Sequence, residues 1–250
     1  PLDSPSDANF YSTEAELEFA IRGVYRTLWW HSQNQQVMQR IDCTTDMGWV
    51  RGQPDGLSDG SATSTLPAFR SFWVDLYRGI SRANSLLANM HRAKEGMPEE
   101  SFLRIEAEAK FLRAYFYNFL VEMYGGVPLL KEPPKLEESM VGRSSKSDVV
   151  DFIIADLQSV QSILPNSWPA KDKGRATKGA ALTLLARIAL YNQKFDLAIQ
   201  ASRQVMDLQE YSLYPNYKNL FQYEGVRCPE VIFDVAYLQG QMTHAHPQNA

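Results

Sequence analysis

The sequence has little cysteine, no excess of positive charge and no long apolar run. Its two cysteines, Cys43 and Cys228, are too few for a disulfide framework, and we expect two isolated thiols rather than one bridge. The 25 Lys and Arg residues against 29 Asp and Glu give a net charge of −4. That balance argues against a nucleic-acid partner, because phosphates demand a basic face. No run of roughly 18 apolar residues is present, so no segment is predicted to cross a membrane as a helix.

The chain also lacks a starting Met and a charged-then-apolar leader. Because it begins Pro1-Leu2-Asp3, we expect a processed or trimmed N-terminus. Its 250 residues, 44% hydrophobic and 22% charged, are typical of a globular protein rather than a disordered one. A chain of this length can bury about 70% of its unfolded surface, so it needs neither a metal nor disulfides to fold.

Helical periodicity runs through most of the sequence. A capping box, with Thr13 at the cap and Glu16 three residues later, opens the first predicted helix. Proline suits a first helical position, and Gly125-Gly126 is typical of a helix end. Six helices are predicted, with starts at Thr13, Pro67, Pro98, Ser147 or Asp148, Thr177 and Asp196. With one strand candidate at residues 231–237, the sequence predicts an all-α fold with minor β.

Helices five and six are predicted to form a hairpin joined by residues 192–194. The hairpin carries hydrophobic and small residues at the spacing of a tetratricopeptide repeat: Leu185, Ala186, Phe195, Ala198 and Ile199. A solenoid of such repeats needs about three units, and the earlier helix pairs are candidates for degenerate ones. The predicted architecture is therefore a tetratricopeptide-like helical repeat scaffold.

Two long stretches, residues 31–64 and 165–174, have no helical periodicity. Each sets a tryptophan among residues that favour turns: Trp49 in the first and Trp168 in the second. A long irregular loop in a compact helical domain is usually functional or disordered. These loops are the first places to look for a binding site.

The motifs that suggest catalysis fail in their context. Residues 56–60 match G-x-S-x-G, but no strand precedes them and no parallel-sheet pattern exists, so they are predicted to form a polar turn. Residues 174–179 resemble a phosphate loop, but Ala180 and Ala181 stand where Lys and Ser or Thr are required. The four histidines are scattered without metal-ligand spacing. We predict no enzymatic activity, no cofactor and no metal.

Five ordered blocks of the chain resemble the SusD/RagB family. The two strongest are residues 105–129, IEAEAKFLRAYFYNFLVEMYGGVPL, and residues 174–191, GRATKGAALTLLARIALY. Weaker blocks at residues 44–46, 72–84 and 214–233 agree in order and rough spacing. The resemblance spans nearly the whole chain, and it explains the near-match to a phosphate loop as the start of a family helix.

The resemblance implies a lipoprotein on the extracellular face of the outer membrane. Such a protein binds a polysaccharide or oligosaccharide and delivers it to a TonB-dependent outer-membrane transporter, without catalysis of its own. Residues 1–250 are then a single SusD-like helical domain with long irregular loops, truncated to the N-terminal half of the family fold. The cysteine that carries the lipid anchor, expected just before Pro1, is absent from this chain. The alternative is a protein- or peptide-binding tetratricopeptide-like scaffold without carbohydrate affinity.

Sugar recognition needs an aromatic face for the apolar side of a pyranose and planar polar groups for its hydroxyls. The resemblance implies an aromatic arc drawn partly from the N-terminal loop. The carbohydrate-binding candidates in that loop are Trp49, Asp46, Arg51, Gln53 and Asp55. Trp49 either stacks on a sugar or tucks into the scaffold, and Trp168 is a second candidate whose proline neighbours favour a packed turn. Trp29, Trp30 and Trp73 follow helical periodicity and are predicted to lie in the core.

Overall fold

The computed structural model describes residues 10–28, 45, 60–133, 141–222, 225 and 228–235, and every structural statement below concerns these residues. The helices in this part of the chain are α1 (Glu14–Tyr25), α2 (Pro67–Asn89), α3 (Glu99–Tyr124), α4 (Lys146–Val160), α5 (Lys178–Tyr191), α6 (Phe195–Asp207) and the short α7 (Tyr217–Leu220). Turns of 3-10 helix follow α1 and α2, and a third such turn spans Ala170–Asp172. The all-α prediction is confirmed. None of the described helices is both long and apolar enough to cross a membrane.

The helix starts follow local capping chemistry. The capping box of α1 is present, since Glu16 N–H donates to the Thr13 hydroxyl and Thr13 N–H donates to the Glu16 carboxylate. Thr177 caps α5 as predicted. The prediction of Ser147 or Asp148 as the cap of α4 is wrong. Ser145 is the cap, because its hydroxyl is the one that accepts the N–H three residues further on, from Asp148.

Helix α3 is the centre of the fold. It packs against α1, α2 and α4, while α4 packs on α5 and α5 on α6. Because neighbours cover several of its sides, α3 buries residues around most of its circumference, among them Ile105, Leu112, Phe116 and Tyr117. Full burial of each such side chain contributes about 1.5–3 kcal/mol. Phe233 packs its ring on Phe111 of α3, with the ring centroids 5.3 Å apart.

The predicted α5–α6 hairpin forms, whereas the predicted strand does not. In the hairpin, Leu185 and Ala198 are buried, and Phe195 and Ile199 are 56% and 50% exposed. Small residues therefore make the close contact, and the two large side chains face outward. Residues 231–235 of the predicted strand form no strand, because their contacts run to helices rather than to a neighbouring strand. Ala236 and Tyr237 lie outside the described residues.

A buried ion pair joins three parts of the chain. The Glu108 carboxylate on α3 has no solvent exposure, and Arg175 donates to it from Nε at 2.8 Å and from Nη2 at 2.7 Å. The Tyr25 hydroxyl of α1 donates to the same carboxylate at 2.7 Å and accepts the Ala176 N–H at 2.7 Å. Burial raises the pKa of Glu108, and the hydrogen bonds and charge of Arg175 oppose that rise. This Glu108–Arg175 cluster holds the loop before α5 against α1 and α3.

A second buried ion pair lies elsewhere on α3. Arg113 donates to both carboxylate oxygens of Asp156 on α4, at 2.8 and 2.9 Å. Its remaining nitrogen donates to the Asn84 side chain on α2 at 2.8 Å and to the Lys131 carbonyl at 3.0 Å. Each nitrogen of the buried Arg113 guanidinium thus donates a hydrogen bond, as the burial of a charge requires. The pair ties α2, α3, α4 and the segment after α3 together.

Tyrosine hydroxyls anchor loop carbonyls to the helices. Tyr77 donates to the Pro128 carbonyl at 2.7 Å, Tyr117 to the Leu130 carbonyl at 3.0 Å, and Tyr124 to the Phe69 carbonyl at 2.7 Å. Burial raises the pKa of Tyr124 to about 12 and raises the pKa values of Tyr77 and Tyr117 further. Burial also raises the pKa values of Tyr25 and Tyr115.

Glu108→Gln should lower the free energy of unfolding by about 3 kcal/mol, because it leaves a buried guanidinium without its main counterion. Glu18, which lies 3.1 Å from Arg175, keeps the loss from being larger. Glu106→Gln is the matched control on the same helix, since its partner Lys110 forms a more exposed pair that is worth less than about 1 kcal/mol. Urea unfolding of both variants measures the difference. Equal losses would contradict the assigned role of the Glu108–Arg175 cluster.

Stability should fall as the pH rises above about 10. An unfolded tyrosine ionises near pH 10, whereas these five buried or partly buried tyrosines keep their protons in the folded state, so the unfolded chain binds fewer protons there. The contribution is fully present below that pH and declines above it. Urea unfolding between about pH 9 and pH 11, with tyrosinate absorbance recorded in parallel, measures the slope. Tyr117→Phe should make the slope shallower, and an unchanged slope would refute the assignment.

Candidate functional site

A cavity lies between α1 and the loop before α5, and we call it the α1 cavity. Its volume is about 650 Å³. Helix α1 and the turn after it supply one wall, with Phe19, Arg22 and Arg26, while the loop supplies the other, with Lys171 and Lys173. Leu28 also lines the cavity and is the last described residue before the irregular stretch of the sequence analysis.

The walls of the α1 cavity carry an excess of positive charge. Arg22, Arg26, Lys171 and Lys173 are exposed, and none of them forms an ion pair within the described part of the chain. The lining carboxylates are those of Asp172, which lies 3.6 Å from Arg175, and Asp234, which has an interaction of its own. Arg175 at the rear is already paired with Glu108 and Glu18. Four cations remain to face a ligand.

An exposed aromatic ring borders the same cavity. Phe19 is 72% exposed, and its ring meets that of Phe10 edge to face, with the centroids 6.3 Å apart. Phe10 in turn packs on Tyr11 at 4.6 Å. The neighbouring rings restrain Phe19, so its free surface is available to an apolar face of a ligand.

Trp168 lies in a packed turn next to the α1 cavity. Its indole N–H donates to the Ala176 carbonyl at 2.8 Å, and the guanidinium groups of Arg175 and Arg104 lie 4.7 and 5.6 Å from its ring centre. The half-buried ring also lines a smaller cavity of about 230 Å³ that shares Lys173, Arg175 and other wall residues with the α1 cavity. Trp168 thus supports the wall between the two cavities, and its role as a binding residue stays a prediction.

The remaining predicted site residues lie outside the described residues: Trp49, Asp46, Arg51, Gln53 and Asp55. Trp29, Trp30 and Cys43 lie outside them too, and Cys228 is a buried free thiol. Trp73 packs against the core as predicted. Together with Tyr124 and Arg143 it also lines a groove of about 400 Å³, which periodicity alone does not reveal.

Sequence reasoning missed the residues of the α1 cavity. Phe19, Arg22 and Arg26 occupy the face of α1 opposite the buried Leu17 and Ile21, and such a face is ordinarily assigned to solvent. The available signal is the i, i+3, i+7 spacing of one aromatic and two cationic residues on that face.

Comparison with known proteins agrees with this fold. The model of the SusD-like family described as starch-binding and associating with the outer membrane matches residues 6–190. SusD-like protein P25 of Formosa agariphila is 32% identical over an alignment of 245 positions. The alignment covers 91% of this chain and 46% of that protein.

Solved structures of SusD-like proteins have the same fold as this chain. A laminarin-binding SusD-like protein superposes with a TM-score of 0.82 at 29% identity, covering 90% of this chain and 52% of that one. A SusD-like carbohydrate-binding protein from Bacteroides fragilis superposes with a TM-score of 0.79 at 25% identity, covering 92% and 47%. The chain spans about half the length of these relatives.

SusD-like proteins are non-catalytic carbohydrate-binding proteins associated with the cell surface at the outer membrane. The predicted resemblance is confirmed by a family match that covers residues 6–190 and by the helical fold. The chain therefore belongs to the SusD-like family.

Proposed function

We propose that the chain binds a glycan in the α1 cavity, and that the protein delivers this glycan to a TonB-dependent transporter without chemical change. The observation that carries the proposal is the cavity itself, which combines a restrained aromatic ring with cationic and planar donors. Its volume of about 650 Å³ falls within the range of about 300–1,000 Å³ that is usual for small-molecule sites. Family membership supports the glycan as the ligand.

The predicted loop adds to this site in our proposal. Trp49 supplies a second aromatic face, and Asp46, Arg51, Gln53 and Asp55 bind sugar hydroxyls. The support is position in the sequence, since the predicted loop of residues 31–64 follows three residues after Leu28, which lines the cavity. Trp168 contributes from the neighbouring wall.

The proposed location is the extracellular face of the outer membrane, with attachment through an N-terminal lipid anchor. Support comes from the family description, which associates its members with the outer membrane. Nucleic acid is not a proposed partner, because the chain carries a net charge of −4.

A second candidate function is protein or peptide binding by the scaffold alone. The observation that favours it is the outward apolar face of the α5–α6 hairpin, where Tyr191, Phe195 and Ile199 are at least half exposed. The two candidates use different surfaces, so substitutions on each surface separate them.

Trp49→Ala should weaken glycan binding about thirtyfold while leaving the melting temperature nearly unchanged. Loss of a stacked aromatic anchor typically costs about 2 kcal/mol of binding. Affinity electrophoresis across plant, host and microbial polysaccharides first identifies a ligand, and calorimetry then measures its affinity. A large fall in melting temperature with unchanged affinity would identify Trp49 as a core residue.

Phe19→Ala should weaken binding of the same glycan by a similar factor of about thirty, because Phe19 offers the exposed ring of the α1 cavity. Phe195→Ala is the matched control, since it removes a comparably exposed ring from the α5–α6 hairpin. Calorimetry on both variants measures the effect. Loss of affinity in Phe195→Ala alone would place the ligand on the hairpin and favour the second candidate.

A further inference from the structure

We propose that the α1 cavity selects saccharides that carry an anionic group, a uronate carboxylate or a sulfate ester, over neutral ones. This inference rests on the proposed function and names the ligand class of the same site. The sugars named for the family and for one relative, starch and laminarin, are neutral glucans, so the inference depends on the cavity alone.

The charge of the cavity comes from two separate elements. Arg22 lies in the last turn of α1 and Arg26 directly after its end, and Lys171 and Lys173 lie in the loop before α5 on the other wall. Two cations near the end of α1 are also favourable to its helix dipole. That effect accounts for the arginines but not for the lysines, since Lys171 lies in a three-residue 3-10 turn and Lys173 follows it.

The overall composition of the chain does not explain this concentration of positive charge. The chain carries a net charge of −4, yet four exposed cations share this cavity with two carboxylates. Within the described residues no acidic side chain forms an ion pair with any of the four. Because a concave wall focuses the field of its charges, an anionic group is attracted into the cavity and a neutral one is not.

The geometry of the donors fits an anionic sugar better than a bare anion. Guanidinium groups bind carboxylate and sulfate oxygens through paired planar donors, which Arg22 and Arg26 provide. Phe19 lies on the same face of α1 and offers its ring to the apolar side of the sugar. Charge and ring together favour a ligand with both features.

The test compares matched pairs of polymers: dextran with dextran sulfate, and methyl-esterified homogalacturonan with polygalacturonate. The chain itself is the test protein, because it carries the described residues from which the inference is argued. The key variant is Arg22→Gln with Arg26→Gln. Its control is Arg203→Gln with Lys218→Gln, which removes the same charge from exposed positions that do not line the cavity.

The unchanged chain should bind the anionic member of at least one pair about tenfold or more tightly than the neutral member. The Arg22/Arg26 variant should lose roughly two- to thirtyfold in that affinity, and the control should retain it. Raising the salt concentration should weaken the anionic interaction, because exposed charges are screened. Arg22→Lys with Arg26→Lys keeps the charge but not the paired planar donors, and should recover only part of the affinity. Unchanged melting temperatures confirm that each variant is folded.

Equal or tighter binding of the neutral polymers would overturn the inference and leave the proposed function standing. Equal losses in the Arg22/Arg26 variant and in its control would also overturn it, since the attraction would then be non-specific. If neither anionic polymer binds but a neutral glycan of the wider panel does, the inference alone fails. Failure to bind every glycan of that panel overturns the proposed function as well.

Discussion

The Glu108 carboxylate has no contact with solvent, and a charge taken out of water must be met by partners at fixed positions. Arg175 supplies two of its hydrogen bonds and Tyr25 supplies a third. Because Arg175 belongs to the loop before α5, the ion pair fixes that loop on the helices. The loop in turn carries Trp168 and both lysines of the α1 cavity. The site therefore depends on a charge that it never exposes to a ligand.

Helix α3 organises the rest of the fold in the same way. Arg113 follows Glu108 by five residues, which is about 140° around the helix. One side of α3 thus holds α1 and the loop before α5, while another holds α2, α4 and the segment after α3. Apolar side chains fill the rest of its circumference. Hydrophobic burial supplies most of the stability, whereas the two buried ion pairs determine which elements meet, since each charge accepts only a partner of matching geometry.

The helices could be predicted because their signals are local. The capping box of α1 and the N-cap residue of α5 each lie within one turn of the start of their helix. The prediction of Ser147 or Asp148 as the cap of α4 was wrong because Ser145 lies only two residues before Ser147, and only the backbone path decides which side chain reaches the free N–H. Phe195 and Ile199 fit the repeat spacing but are at least half exposed, because spacing alone does not determine whether a further helix covers a residue. Local sequence patterns thus predict where helices form, but not which parts of the chain pack against them.

The candidate site was harder to predict, because exposed charges look alike in a sequence. Arg22 and Arg26 have the pattern of an ordinary solvated helix face, and nothing local relates them to Lys171 and Lys173 about 150 residues away. Only the fold brings the two pairs to one cavity. The difference between the packed and the exposed face of α1 has a functional consequence. Residues Leu17, Ile21 and Val24 hold α1 in place, whereas the opposite face takes no part in the core. Substitutions on that face can therefore change what the cavity binds at little cost in stability, which suits a family whose members meet different glycans.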